Sequence, residues 1–208
     1  MAQPLPRLRM NLDFMPSPVE DRPGLLIRDT YGYSEAVLII PPELVQCLAC
    51  FDGEQTHLDL RQLLVRMTGQ LEVGPLEQHL VETLSTSGFL HDDTYEHLRE
   101  ARHREFAESP TRPPIHAGTA YPEEPEDVRA TLDAYLAGSE HPPVEGKLIG
   151  IAAPHVSPFG GWQTYRAAYT ALPAELRDDT TFVILGTSHY GEPDRFGLTR
   201  KPFETPYG

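Results

Sequence analysis

The sequence predicts two domains of different class: a small α+β domain over residues 1–107 and part of an α/β domain with parallel strands over 116–208. Three observations carry this. The stretch Glu108-Ser-Pro-Thr-Arg-Pro-Pro114 holds three prolines in seven residues. It can neither continue a helix nor sit inside a sheet, so 108–115 reads as an extended linker. Before it, two short runs rich in Leu, Ile and Val precede leucine-periodic segments at helical spacing. After it, two nearly continuous apolar runs flank one helical segment, the pattern of a βαβ unit.

In the first domain, residues 24–30 and 36–40 are the strand-like runs, and the residues between them, Tyr31-Gly-Tyr-Ser-Glu35, fit a hairpin turn. Pro41-Pro42-Glu43 opens a helix that runs to Phe51, with proline in the first turn, where its missing N–H costs nothing. Asp52-Gly53 ends it. Residues 59–68 put Leu60, Leu63, Leu64 and Met67 on one helical face and stop at Gly69. Residues 75–87 do the same with Leu76, Leu80 and Leu84. Gly88-Phe-Leu-His-Asp92 reads as a short strand and 94–106 as a polar helix. A hairpin, three compact helices and a terminal strand make a winged-helix-like arrangement.

Cys47-Leu-Ala-Cys50 has the spacing of half a zinc site or of a redox pair. Zinc needs a second pair, and the sequence has only these two cysteines. A redox pair sits at a helix start after a strand, whereas these two fall late in an amphipathic helix. The pattern points to small buried hydrophobes.

In the second domain an acidic helix is expected over 125–137, with Val128, Leu132, Tyr135 and Leu136 on its apolar side and its acids in the first turn, where the helix dipole favours them. The polar segment 138–143 reads as a surface loop. Residues 147–153 and 181–185 are the two buried, parallel strands, and 161–172 is the crossover helix carrying Trp162, Tyr165, Ala168, Tyr169 and Leu172. His155 follows the first strand directly and His189 follows the second. Parallel α/β sheets gather their chemistry at the carboxyl ends of strands, so adjacent strands would bring the two imidazoles to one crevice. Neutral imidazole is the commonest metal ligand. The bland alternative for each is a hydrogen-bonded loop histidine. Ser188 beside His189 has the types of a nucleophile and base, but no Gly-x-Ser-x-Gly elbow surrounds it. Gly186-Thr-Ser-His could cradle a phosphate, but no helix start follows.

Composition excludes several classes. The 31 acidic residues outnumber the 17 basic ones for a net charge of −14, and the deficit is shared by both halves. Nucleic acid is therefore not an expected partner, because a phosphate backbone is bound by clustered Lys and Arg. No apolar run approaches the roughly 18–20 residues of a membrane span. The start, Met1-Ala-Gln-Pro-Leu-Pro6, lacks the basic-then-apolar pattern of a secretory signal, so the cytoplasm is the default compartment.

Two resemblances add to this. The order of elements over 19–93, with the turn Phe51-Asp-Gly-Glu-Gln-Thr56 before a leucine helix, resembles the PqqD-like family of small peptide-binding domains. In the second half, His116-Ala-Gly-x-x-Tyr-Pro122, Ile151-Ala-Ala-Pro-His155 with Gly160-Gly161 and Ala167-Ala-Tyr169, Val183-Ile-Leu-Gly-Thr-Ser-His189, and Leu198-Thr-Arg-Lys-Pro-Phe-Glu-Thr-Pro206 follow one another in the order of the signature blocks of the Memo family. Its bacterial branch is the AmmeMemoRadiSam system protein B. That resemblance implies a fold like the class III extradiol dioxygenases, bound iron or copper, and redox chemistry. It assigns His155 and His189 as two of three metal ligands. His116 matches the opening block and takes a catalytic role beside the site or facing substrate. It also implies a radical-SAM enzyme and an AMMECR-like protein as partners.

Two local departures concern the pocket: Tyr190 stands where many members have a second histidine, and Val156-Ser-Pro-Phe159 replaces the usual sequence there. Family domains run well past the Thr-Pro block, where their third ligand lies. The expectation is therefore a C-terminally truncated Memo domain with an incomplete site, in which Asp178, Glu192 and Asp194 are solvated loop carboxylates. The competing expectation is a non-catalytic module that binds a peptide or protein through the PqqD-like domain.

Overall fold

A buried aspartate organises the first sheet. Asp29 ends a strand, and its carboxylate accepts the backbone N–H of Tyr31 at 2.9 Å and of Ser34 at 3.2 Å, which folds the chain back on itself. The strands so joined are β2 (Leu25–Arg28) and β3 (Val37–Ile40), antiparallel with Leu25 opposite Ile40 and Arg28 opposite Val37. The computed structural model describes residues 3–138, 148–172, 179–189, 191 and 194–208. The chain divides into two units, Met1–Glu108 and Ser109–Gly208.

The first unit has a strand that the sequence reading did not expect. β1 (Asp13–Pro16) pairs antiparallel with β2, giving a three-stranded sheet in the order β1-β2-β3. It was hidden because Asp13-Phe-Met-Pro16 has no β-branched residue and ends in proline. Upstream of it the chain threads into the core. The N–H groups of Leu5 and Leu8 donate to Gln55 and Phe51 carbonyls, that of Arg9 to Phe89, and that of His91 to Arg7. Leu5, Leu8 and Leu12 are buried with Ile27, Phe51, Leu60, Leu64, Leu84 and Phe89 in one cluster. The strand expected at 88–92 contributes to this only an isolated bridge, Leu90 to Leu8.

After β3 comes a 3-10 helix, Pro42–Cys50, where an α-helix was expected. Side chains three apart eclipse one another in that geometry. Leu44, Cys47 and Cys50 are spaced by three, and both cysteines are buried among the core hydrophobes. Burial raises both thiol pKa values, and Cys47 lies 3.9 Å from the Met67 sulfur. The cysteines act as buried hydrophobes.

α1 (His57–Thr68) starts with a capping box in which Thr56 and Asp59 satisfy each other's backbone N–H groups. α2 (Gly74–Thr86) is tied to α1 through Glu77. That carboxylate, almost fully buried, accepts from Arg61 at 3.0 Å and lies 2.5 Å from His57 Nδ1. α3 (Asp93–Glu108) is capped by Asp92, which accepts from the Tyr95 N–H at 3.1 Å.

The second unit contains α4 (Pro125–Leu136) and α5 (Pro158–Tyr169). They pack together through Tyr135 stacked on Trp162, with ring centres 5.8 Å apart. The expected parallel strands are a correction. Residues 148–153 and 181–185 belong to no strand or bridge. The reason is that a parallel strand exists only through ladder partners and cover on both faces. Here Ile149 is 94% exposed and Ile184 89% exposed. Among the described residues the only pairings in this unit are isolated bridges, Arg112 to Phe203 and Ala117 to Tyr121. The loop read at 139–143, and Lys147, Asp178, Tyr190 and Glu192, lie outside the described residues. No helix is long and apolar enough to cross a membrane, among the residues described.

The turn into α1 makes a pH prediction. Asp52 accepts the N–H of Gln55 at 2.9 Å and of Glu54 at 2.8 Å, and the Gln55 side-chain amide at 3.2 Å. These bonds, the Gln55 N–H foremost, lower its pKa from 3.8 to about 2. A carboxylate with a depressed folded pKa adds stability that is complete above its unfolded value and fades as pH falls through the folded one. The melting midpoint of the whole chain should drop between pH 4 and about 2, and Asp52→Asn should make that drop shallower. An unchanged slope in the variant refutes the role of this turn.

Candidate metal centre

His155 is placed by the start of α5. Ser157 precedes the helix, its carbonyl accepts the N–H groups of Gly160 at 3.1 Å and Gly161 at 3.0 Å, and Pro158 occupies the first turn. The Tyr165 hydroxyl, two turns into the helix, donates back to the Val156 carbonyl at 2.8 Å. Gly161 is buried against the Val156 side chain, and a Cβ there would come within 2.5 Å of Val156 Cγ2. The residue after His155 is thus clamped from two sides by one helix. The helix in turn is fixed to α4: the Arg166 guanidinium, 5.0 Å from the Trp162 ring centre of its own helix, donates to the Ala137 carbonyl just past α4 at 3.2 Å.

His189 closes the described segment 179–189, which forms no helix or strand. A Cβ on Gly191 would stand 2.5 Å from the Ser188 hydroxyl oxygen, so a side chain there would make that hydroxyl turn away. The two imidazole centres come within 5.1 Å of each other, with their planes inclined by 39°. Both residues are exposed. With a metal–nitrogen bond of about 2 Å and a roughly tetrahedral angle, two imidazole centres on one ion stand about 5 Å apart. The donor set and its spacing therefore fit a borderline-soft ion such as zinc, copper or iron.

The sequence-expected residues divide as follows. His155 and His189 meet, although the strands expected to deliver them are not formed. His116 has a local structural part: its carbonyl accepts the Ala120 N–H at 2.9 Å and the Thr119 hydroxyl at 3.1 Å, which closes the turn of the opening block. Among the described residues no group of three or more His, Cys, Asp or Glu is placed to hold a metal, so His116 and Asp194 do not join the pair in such a cluster.

Two features were not foreseen from sequence. One is the clamp by Tyr165 and Gly161. Its available signal was Ser-Pro followed by Gly-Gly, a helix start built for close approach to the segment before it. The other joins the start of the unit to its last block. The Arg112 N–H donates to the Pro202 carbonyl at 2.7 Å, the Glu204 N–H to the Arg112 carbonyl at 2.9 Å, and the Thr111 hydroxyl to the Glu204 carboxylate at 2.6 Å. Lys201 Nζ also donates to the Ser109 carbonyl.

Comparison with known proteins agrees with this half of the chain. Residues 112–208 match the family model described as Memo-like protein. The chain is 26% identical over 183 residues to a MEMO1 family protein of Aquifex aeolicus, covering 88% of this chain and 47% of that relative. It is 27% identical over 132 residues to a MEMO1 family protein of Thermus thermophilus, covering 63% of this chain and 39% of that relative. The chain spans less than half the length of these curated relatives. The Aquifex match is longer than Ser109–Gly208 and so extends into the first unit. No solved structure gives a significant match.

If α5 places His155, then Gly161→Ala should displace the Val156 segment and shift the His155 imidazole resonances in NMR while leaving helical content unchanged. Tyr165→Phe removes one hydrogen bond, worth about 1 kcal/mol, and should shift them less. His155 resonances unmoved in both variants would exclude the clamp.

Proposed function

We propose, on the premise that residues 112–208 belong to the Memo family, that this chain carries two ligands of a mononuclear metal site serving redox or dioxygenase-like chemistry. His155 and His189 are those ligands, and iron or copper is the metal. The observation that carries the reading is the approach of their rings to 5.1 Å from separate loops of the second unit. When bound, the metal supplies Lewis-acid and electron-transfer chemistry.

This chain's own residues do the rest. Neutral imidazole lone pairs of His155 and His189 hold the ion. Tyr165 and Gly161 fix the segment after His155. Both histidines are exposed, so substrate reaches the ion from solvent. His116, in the block that opens the unit, is assigned to the substrate-facing side. The family implies the class III extradiol dioxygenase-like fold. We place the protein in the cytoplasm, beside a radical-SAM enzyme and an AMMECR-like protein.

The test is metal content. The chain is stripped with chelator, reloaded with Fe(II) or Cu(II), desalted and measured by elemental analysis. Wild type should retain metal, and His155→Ala or His189→Ala should lower affinity at least about tenfold. Equally little metal in wild type and in the double variant overturns the reading.

A second reading assigns the first unit, as a PqqD-like winged-helix module, to binding a peptide or protein. The order β1-β2-β3 leaves β3 as an outer strand, with Val37 exposed, and an extended segment can add to such an edge. Titration of the isotope-labelled chain with candidate leader peptides should move the amide signals of Val37–Ile40 first. Signals that stay fixed with every peptide count against it.

A further inference from the structure

We propose that the last signature block, residues 198–206, positions His116, and that Glu204 is the side chain through which it acts. The proposal rests on the substrate-facing assignment of His116 and deepens it by naming what holds that residue in place.

The block is fastened to the start of its own unit. The Arg112 N–H donates to the Pro202 carbonyl at 2.7 Å, and the Arg112 carbonyl accepts the Glu204 N–H at 2.9 Å. These two bonds make a parallel bridge between Arg112 and Phe203. Side chains reinforce it from both segments. The Thr111 hydroxyl donates to the Glu204 carboxylate at 2.6 Å, a charge-assisted bond of the stronger kind. Lys201 Nζ donates to the Ser109 carbonyl, and the Arg112 guanidinium lies 5.5 Å from the Phe203 ring centre.

The far end of the block is anchored as well. The Gly208 N–H donates to the Thr205 carbonyl at 2.9 Å, which turns the chain after the block. Tyr207, inside that turn, lies under the Arg129 guanidinium of α4 at 5.5 Å from its ring centre. α4 is also the helix on which α5 stacks through Tyr135 and Trp162. The block is therefore referenced to the helices that hold the segment after His155.

From the bridge to His116 the backbone is stiff. Pro113 and Pro114 follow Arg112 directly, and their rings lock φ. The Ile115 N–H donates to the Pro113 carbonyl at 3.0 Å and the Ala117 N–H to the Pro114 carbonyl at 2.9 Å. The His116 carbonyl closes the next turn by accepting the Ala120 N–H at 2.9 Å. The chain direction set at Arg112 is thus passed on to His116 through locked rings and turn hydrogen bonds. Loosening the bridge moves the histidine.

The experiment is proton–nitrogen correlation NMR of histidine imidazoles and backbone amides, on the full chain kept metal-free with chelator. Wild type is compared with Glu204→Ala, Glu204→Gln and Thr111→Val. Glu204→Ala and Thr111→Val cut the same hydrogen bond from opposite ends. Each should shift the His116 imidazole and the amides of 117–120, in the same direction, while His155 and His189 stay in place. Combining the two should add little to either alone, because the bond is already lost. Glu204→Gln keeps an oxygen that accepts from Thr111 and should return His116 close to its wild-type position.

His116 signals unmoved in both Glu204→Ala and Thr111→Val overturn the proposal. Shifts of His155 and His189 as large as those of His116 also overturn it, since they report general loosening of the unit. A Gln variant no better than the Ala variant excludes the Thr111 bond as the means. Absence of metal in the retention experiment leaves these shifts untouched and removes only the substrate-facing role of His116, so the two failures are distinct.

Discussion

The guanidinium of Arg9 is taken wholly out of water, and the partners it finds in the first unit tie distant parts of the chain together. Arg9 and its partner Asp29 both have fully buried side chains, 3.0 Å apart. Arg9 also donates to the Gly88 carbonyl at 2.8 Å and lies over the Tyr95 ring at 4.2 Å from its centre. Asp29 in turn accepts the backbone N–H groups that close the β2–β3 turn. One ion pair thus joins the N-terminal segment, the hairpin turn and the passage from α2 to α3. Removing one partner of such a pair leaves an uncompensated buried charge, at a cost of about 3–5 kcal/mol. The pair therefore specifies which segments must meet, while the leucine cluster beneath it supplies the apolar burial.

The second unit is built on a different balance. It has little buried apolar surface, with Val128 its only buried large hydrophobe among the described residues. Order there comes from aromatic stacking of α4 on α5, from helix starts, and from backbone pairing between its first and last segments. The histidines meet under those local constraints. A helix N-terminus with a glycine at the point of contact holds the segment after His155 without a sheet. The apolar runs beside them remain exposed, which separates the question of what positions the site from the question of what covers it.

The match to the Aquifex relative runs through both units, so their covalent association is a property of that relative too.

Sequence alone determined what depends on local chemistry. Helix spans, the proline-rich break, the buried cysteines and the two histidines at loop positions all follow from periodicity, capping residues and the backbone limits of proline and glycine. The ordered blocks around His116, His155 and His189 also carried the resemblance that the Memo-like family model matches over residues 112–208. Tertiary structure decided what depends on partners distant in the chain. β1 exists because β2 offers it a ladder, and Arg9 is buried because Asp29 and Gly88 accept from it. Residues 148–153 and 181–185 have strand-like composition but form no strand, because composition supplies only a willingness to pair. The ladder itself requires hydrogen-bonding neighbours, and those are contributed by the rest of a fold or by another molecule.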